Sequence, residues 1–369
     1  MMLRRSLPIA IAVAAAAPQL HAQSIMDIGA RIAPQFHQYN IDGPTNTKIS
    51  EFSLPMFVVV PITSSFGFDI GSSFAQSKVQ QTIGGKTFES NISGLTDTQI
   101  RANLSIGTDF IVITGGVNLP TGTSTVPLDK QTAASLIGSD FLAFPISNMG
   151  SGFGGTGGIA LAQALGDWNL GIGLSARKSV QYDPFDAVGG LTLHYQPGNE
   201  YRGRVGLDHA LGTGHFTVGV TYSTFGDDNY AGSIYNTGNR IISQIGISDM
   251  MGVGTVSLNG WDVHRTSGTV ADGTKLGSDN IGNGALGYTI PMGDITVEPN
   301  VEGRFWVQSG ASTSGMGTVG LRLNMTVAGF SILPSGGYSF GQIAAQDATG
   351  ANTTLTLTGF HATLTIRLR

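Results

Sequence analysis

The sequence predicts an all-β fold: a transmembrane antiparallel up-and-down β-barrel of about sixteen strands, within a range of about 14–18. Three observations predict it. Long stretches alternate strictly between apolar and polar residues, charged residues make up only 12% of a glycine-rich chain, and short and long connections take turns along it. The clearest stretch is Asp294 to Gln308, "DITVEPNVEGRFWVQ". Ile295, Val297, Pro299, Val301, Gly303, Phe305 and Val307 fall on one face, and Glu298, Glu302, Arg304 and Trp306 on the other. Period-2 alternation is the mark of a strand. Strands of soluble proteins usually run to about 5–6 residues, so this one is long.

The chain begins "MMLRRSLPIAIAVAAAAPQLHAQS". Arg4 and Arg5, a short apolar run from Leu7 to Ala17 and a cut after the small residue Ala22 predict a signal peptide over 1–22. Residues 23–369 then form one barrel domain. Without the two leader arginines the chain keeps 17 basic and 24 acidic residues, a net charge of about −7. Such a charge argues against a nucleic-acid partner. With no cysteine, thiol chemistry and Cys-ligated metal are excluded. No apolar stretch is long enough for a membrane helix, which needs about 20 residues.

Alternation recurs at 27–37, 65–74, 99–106, 168–177, 201–211, 215–224, 318–327 and 360–368. Across these tracts and the first, the apolar face carries no Lys, Arg, Asp or Glu and one histidine, His209, while the polar face carries eight arginines and six acids. Arg31, Arg101, Arg177, Arg202, Arg204, Asp208, Glu298, Glu302, Arg304 and Arg322 are therefore expected to line a watery interior. Short turns are expected near 63–65, 107–109, 166–167, 212–214, 250–252, 291–294 and 328–329. Long polar loops are expected near 40–47, 79–97, 119–151, 181–200, 226–238, 266–280, 309–316 and 344–353. This asymmetry, short periplasmic turns against long outer loops, is that of outer-membrane barrels. A soluble sandwich would also use alternating strands, but neither the strand length nor the loop asymmetry suits it.

Loop 119–151 joins the fifth and sixth strands and is the longest. It has helical character from Lys130 to Ile137 and carries Phe141, Leu142 and Phe144, which a loop standing in water has little reason to hold. Two readings stay open: it folds into the barrel, with Asp129, Lys130 and Asp140 near a constriction, or it caps the mouth. Arg177, Arg202 and Arg204 cluster on neighbouring strands without enough acids nearby, which suits contact with solute. Glu302 is expected opposite Arg322, and Asp27 and Arg31 near Arg367, as ion pairs bracing the wall. The outer loops are acidic, with Asp42, Asp183, Asp186, Asp227, Asp228, Asp272, Asp279 and Asp347. The pair at 227–228 either holds a divalent cation or simply solvates the loop. No G-x-S-x-G and no H-E-x-x-H is present, so no catalytic set, no metal and no cofactor is expected.

The segments "SGLTDTQIRANLSIG" and "DFIVITGGVNLPTG", spanning 93–122, resemble a strand pair of FadL-like and phenol meta-pathway-type outer-membrane transporters. That resemblance implies fourteen strands, an N-terminal plug and hydrophobic cargo. Here the strand pattern starts by Asp27, leaving no room for a plug. The sixteen strands and the long loop after the fifth are instead similar to general porins. The expected function is a bacterial outer-membrane channel, not an enzyme, passing small solutes by diffusion. Its surroundings would be membrane lipid and lipopolysaccharide, and it could form a homo-oligomer. The alternatives are a conduit for hydrophobic compounds, with a gap in the wall near Pro34 or Pro334, a barrel enzyme with a Ser/His or Asp/His set, and a structural or adhesin barrel.

Overall fold

The computed structural model describes residues 29–368 apart from 108–109, 187–191, 271 and 347–351. The leader at 1–22, Asp27 and Asp347 lie outside the described residues. Sixteen strands form one antiparallel sheet. They are β1 (Gly29–Ile32, resuming as Gln35–Asp42), β2 (Asn46–Pro61), β3 (Phe66–Ile83) and β4 (Lys86–Leu95, resuming as Thr98–Ile106). Next come β5 (Ile111–Leu119), β6 (Gly154–Leu165), β7 (Trp168–Ser179), β8 (Glu200–Leu211), β9 (Gly214–Phe225) and β10 (Arg240–Met251). The rest are β11 (Gly254–Arg265), β12 (Asp279–Met292), β13 (Ile295–Gln308), β14 (Ser314–Val327), β15 (Phe330–Gln346) and β16 (Asn352–Leu368). Each pairs with the next, and β1 pairs with β16, Arg31 opposite Arg367 and Gln35 opposite Thr363. The sheet is thus closed, and its backbone donors and acceptors are satisfied without an edge.

Alternation divides the side chains as the pleat requires. Leu174, Leu258, Val301 and Val319 stand on the outer surface, each about half exposed or more. A folded chain tolerates such an apolar surface only where lipid covers it. Aromatic rings mark both edges of this belt. At the short-turn rim Trp168 stacks on His209 at 4.2 Å, and the His209 Nδ1 lies 3.0 Å from the carbonyl of Asp167, which accounts for an imidazole on the apolar face. Towards the other rim stand Tyr201, Tyr222 and Tyr338.

Two loops differ from expectation. The first long loop is only the bend 43–45, and 79–97 is not a loop. There β3 and β4 continue as a hairpin whose turn is Gly84–Gly85, both with positive φ, as a two-residue type I′ turn needs. The hairpin reads as loop because its outward side has turned polar, with Lys78, Gln80, Glu89 and Asn91. Alternation loses its contrast once a strand leaves the lipid. The second reading of the wall also changes. Pro34 interrupts β1 without opening it: Leu364 donates to the Pro34 carbonyl at 2.9 Å and Ala33 to that of Pro55 at 3.1 Å, and the register is the same on either side. Pro334 sits within β15, opposite Leu364.

β4 carries a true irregularity at Thr96–Asp97. Phe74 pairs with Leu95 and Phe66 with Leu104, so β4 spends one residue more than β3 over this span. This is a β-bulge, and bulges re-aim a side chain. Here it brings Asp97 to the roots of the longest loop.

Candidate permeation site in the barrel lumen

The segment between β5 and β6 crosses the lumen. Its two roots meet at Asp97, whose carboxylate is almost fully buried. It accepts from the Gly122 amide at 3.1 Å, the Ser151 amide at 2.6 Å and the Asn118 side chain at 2.8 Å. Gly122 must be glycine: a Cβ there would sit 2.2 Å from the Met149 carbonyl oxygen. From these roots the chain forms the helix α1 (Gln131–Ile137) and returns across the barrel.

It seats on the wall beside its roots, where α1 packs on β2–β4, and reaches on to β12–β16. Ala133, Ile137, Phe141, Leu142, Phe144 and Met149 are buried against inward residues including Ile49, Val79, Ile92, Ile281, Met316 and Leu357. Phe141 stacks on Trp306 at 5.9 Å and Phe144 meets Tyr39 edge-on at 5.5 Å. Two polar ties fix the seat. The Ile146 amide and the Ser77 hydroxyl both donate to Glu51, each at 2.9 Å, and Arg304 donates to the Phe141 carbonyl at 2.8 Å. A buried carboxylate with good donors at both oxygens is an anchor whose loss would leave an amide unpaired. Next to it His37 and His361 stack at 5.4 Å inside the barrel.

The wall from β7 to β10 stays outside this seat, and of β11 only Trp261 packs against it. Cross-strand neighbours there run Ser175, Arg202, Ser223, Arg240, Arg265 and Asp279, one per strand from β7 to β12. One step nearer the short-turn rim the row runs Arg204, Thr221, Ile242, Val263 and Ile281. Arg202 donates to Glu200 at 2.7 Å, and Arg240 lies 3.6 Å from the same oxygen. Arg265 bridges Asp140 of the loop, at 2.8 Å, and Asp279, at 3.4 Å. Arg177 reaches Ser151 at 3.4 Å. Arg204 has no ion pair among the described residues, and its buried Nε is without a partner. Five arginines thus share three carboxylates.

The expected interior residues all project inward, and they fall into separate groups. Arg177, Arg202 and Arg204 come together as expected, and Glu200 supplies an acid beside them that the alternation does not reveal. Arg304 is committed to the loop and to Glu302, at 2.8 Å. Arg322 does not face Glu302. Its partner is Glu298, at 2.9 Å, because Glu298 and Arg322 are register neighbours, while Glu302 sits opposite Thr318. Arg101 lies 3.6 Å from Asp69, and Asp208 lies 2.6 Å from His215, both low on the wall. Arg31 neighbours Arg367 and covers the Phe57 ring at 5.9 Å. Of the three loop candidates only Asp140 reaches the wall with its side chain. Asp129 is exposed and offers its carbonyl to Ser90 at 2.9 Å, and Lys130 precedes α1.

Arg240 and Arg265 were missed by sequence. Arg240 is followed by Ile241 and Ile242, and Arg265 is preceded by Asp262 and His264 on the other face, so neither tract alternates cleanly. Asp262 faces outward near the long-loop rim, accepting from Asn280 at 2.8 Å.

Above the arginine wall, three short strands, Tyr195–Gln196, Asp228–Tyr230 and Ser233–Tyr235, build a small sheet over the mouth. Tyr182, Tyr195 and Tyr235 pack on one another. Burial, and after it the Asp228 carboxylate, pushes the Tyr195 phenol well above its ordinary value. Asp228 accepts from the Gly198 amide at 2.7 Å and Asp227 from Asn236 at 3.1 Å, so both carboxylates of the "DD" pair are tied into the loops. No cluster able to hold a metal occurs among the described residues.

No family model and no curated protein matches the chain. Among solved structures it is similar to OmpT, an outer membrane protein of Vibrio cholerae, at 7% identity over 92% of this chain and 96% of that one, with a TM-score of 0.44. OccK2 of Pseudomonas aeruginosa, solved in complex with glucuronate, matches at 9% identity over 94% and 99%, with a TM-score of 0.46. An outer membrane channel from Pseudomonas putida F1 matches at 10% identity over 94% and 97%, with a TM-score of 0.38. These are likenesses of sequence-remote barrels, and the barrel assigned to this chain rests on its own strand pairing.

Proposed function

We propose that the protein is an outer-membrane channel through which small solutes, anions before cations, diffuse passively. The observation that carries this reading is the division of the lumen. The loop fills one side with an apolar core and leaves the arginine wall, where Arg202, Arg240 and Arg265 are each about a third exposed or more, facing water. A sixteen-strand barrel is wide enough for water unless plugged, and the surplus of fixed positive charge at the narrowing raises the local anion concentration.

The placement of basic residues supports the orientation. All ten described arginines point into the lumen, whereas all six lysines lie at the long-loop end, on loops or on the outward face of strand ends. A lysine-bearing rim suits the phosphorylated glycolipid of an outer leaflet, and makes lipopolysaccharide the lipid partner of this reading. The leader at 1–22 would be removed on export. The protein would work without cofactor or catalysis, alone or as a homo-oligomer.

A conduit for hydrophobic compounds is the second reading, since the lumen does hold an apolar patch. That patch is occupied by Phe141, Leu142 and Phe144 of the chain itself, and the wall at Pro34 is hydrogen-bonded shut.

The test is the reversal potential of the refolded protein in a planar bilayer under a KCl gradient. Steady conductance with chloride preferred, and a preference that falls when Arg177, Arg202 and Arg204 are changed to Gln, is the expected result. Silence from folded protein, or cation preference, would overturn it.

A further inference from the structure

The arginine wall is more than a basic surface. Arg240 stands directly opposite Arg265 on the neighbouring strand, with Arg202 two strands away in the same row. Like charges placed opposite each other destabilise a sheet. Three carboxylates relieve the five arginines only in part, and the Arg204 Nε is left without a partner. The fold therefore tolerates a repulsion that a bound anion would relieve.

What surrounds these guanidinium groups is polar in part, with the Arg202 Nε donating to Ser223 at 3.3 Å, and apolar in part. The Arg240 guanidinium lies over the Phe225 ring at 5.6 Å on the mouth side. On the opposite side the next inward row presents Thr221, Ile242 and Val263. Ile242 and Val263 face the lumen, are only partly buried, and stand outside the core that the loop makes with the far wall. Two adjacent aliphatic side chains, partly open to the lumen beside a row of guanidinium groups, have no use in passing chloride or sulfate. Apolar atoms gain from contact in proportion to the area they remove from water, and guanidinium presents a planar fork to a carboxylate.

We infer that Arg202, Arg204 and Arg240, with Ile242 and Val263, form a binding site for small monocarboxylates carrying an apolar body. The carboxylate sits on the guanidinium groups, and the aliphatic or aromatic body lies along Ile242 and Val263 towards the short-turn rim. The inference rests on the channel reading for its physiological meaning, but the site itself does not need an open pore.

Two measurements test it on the full refolded chain. The first is block of single-channel KCl current by hexanoate, benzoate, acetate and sulfate at equal millimolar concentrations. Hexanoate and benzoate are expected to interrupt the current with dwell times about tenfold longer than acetate, and sulfate to act through charge alone. Arg240→Gln should abolish the block by all of them, and Ile242→Asn should shorten the hexanoate dwell towards that of acetate while leaving acetate unchanged. The second is the unfolding midpoint in detergent micelles, which a ligand bound to the folded state must raise. Hexanoate should raise it more than equimolar sulfate or acetate in the parent protein, and equally little in Arg240→Gln. Normal conductance with hexanoate no better than acetate would overturn the site and spare the channel. A silent barrel whose midpoint still responds selectively to hexanoate would overturn the channel and spare the site. Silence with no selective midpoint shift would overturn both.

Discussion

The two sides of this lumen are built from the same kind of position, the inward residue of an alternating strand, yet one is a protein core and the other a wetted wall. Around β1–β4 and β12–β16 the inward set includes Ile49, Val79, Ile92, Ile281, Met316 and Leu357, and the inserted loop covers it. Around β7–β11 it includes Arg177, Arg202, Arg204, Arg240 and Arg265, and the loop touches these arginines only through Asp140 and Ser151 among the described residues. An inward position on a wide barrel has no fixed environment. What lies above it decides whether apolar or charged chemistry is stable there, and one loop makes that decision for the whole circumference.

The largest break of this contrast comes from unseating the loop. Phe141 is fully buried between the loop and Trp306, and Phe141→Ala should cost the seat about 3–5 kcal/mol, as loss of a buried aromatic does. Conductance should rise and become noisy, and a protease added from the long-loop side should cut within 123–150. An unchanged, quiet conductance would mean that the loop is not the narrowing element. Removing a polar tie is a smaller blow. Glu51→Ala leaves the Ile146 amide without its acceptor and should cost about 1–3 kcal/mol, visible as a lower unfolding midpoint and brief openings to a larger conductance. Asp97→Ala should act alike from the root side, since it strips two amides of one acceptor.

Changes on the arginine wall should leave stability nearly alone and move selectivity instead. Arg240→Gln removes one of two cations that share Glu200, and should lower the chloride preference without altering protease resistance. A variant that lost both together would erase the distinction between the two sides. The smallest effect belongs to the hairpin above the membrane. Lys78, 2.8 Å away, and Gln80 hold the Glu89 carboxyl below its ordinary value. A depressed folded value means that this contact contributes only above the ordinary carboxylate range and is lost as pH falls. Lys78→Met should therefore raise the Glu89 titration midpoint, read by NMR, while the unfolding midpoint at neutral pH stays where it was, because both groups are exposed.

Much of this was legible in the alternation alone. Strand count, closure, the inward arginines and the six described short turns follow from period-2 patterning, which lipid enforces by rewarding only apolar atoms outside. The pattern failed where that enforcement stops: at the hairpin of 79–97, at the ends of β10 and β11 near headgroup level, and in pairing. Glu302 and Arg322 looked opposed because the pivot of the loop between β13 and β14 was placed from composition, and a small shift there moves the partner to Glu298. The loop's inward seat was half visible in Phe141, Leu142 and Phe144, but its anchors were not. Glu51 and Asp97 each sit in tracts with no sign that a residue some fifty or ninety positions later would need them. The sequence piece that resembles known transporters, "LTDTQIR" with "LPTG", turns out to hold the bulge and the root of the loop.

Closure between β1 and β16 has a consequence in time. Arg31 meets Arg367 and Asp42 meets Thr356, so the last seam joins strands at opposite ends of the described chain. Hairpin pairings can form locally and early, whereas this one must wait until every other strand is in register, and contacts so distant in sequence are slow to find. Until then the growing sheet has two bare edges, each able to recruit a stray strand. Assembly of such a chain is thus limited by its first and last strands, and a factor that shields or joins those two edges would speed it more than one that acts anywhere else.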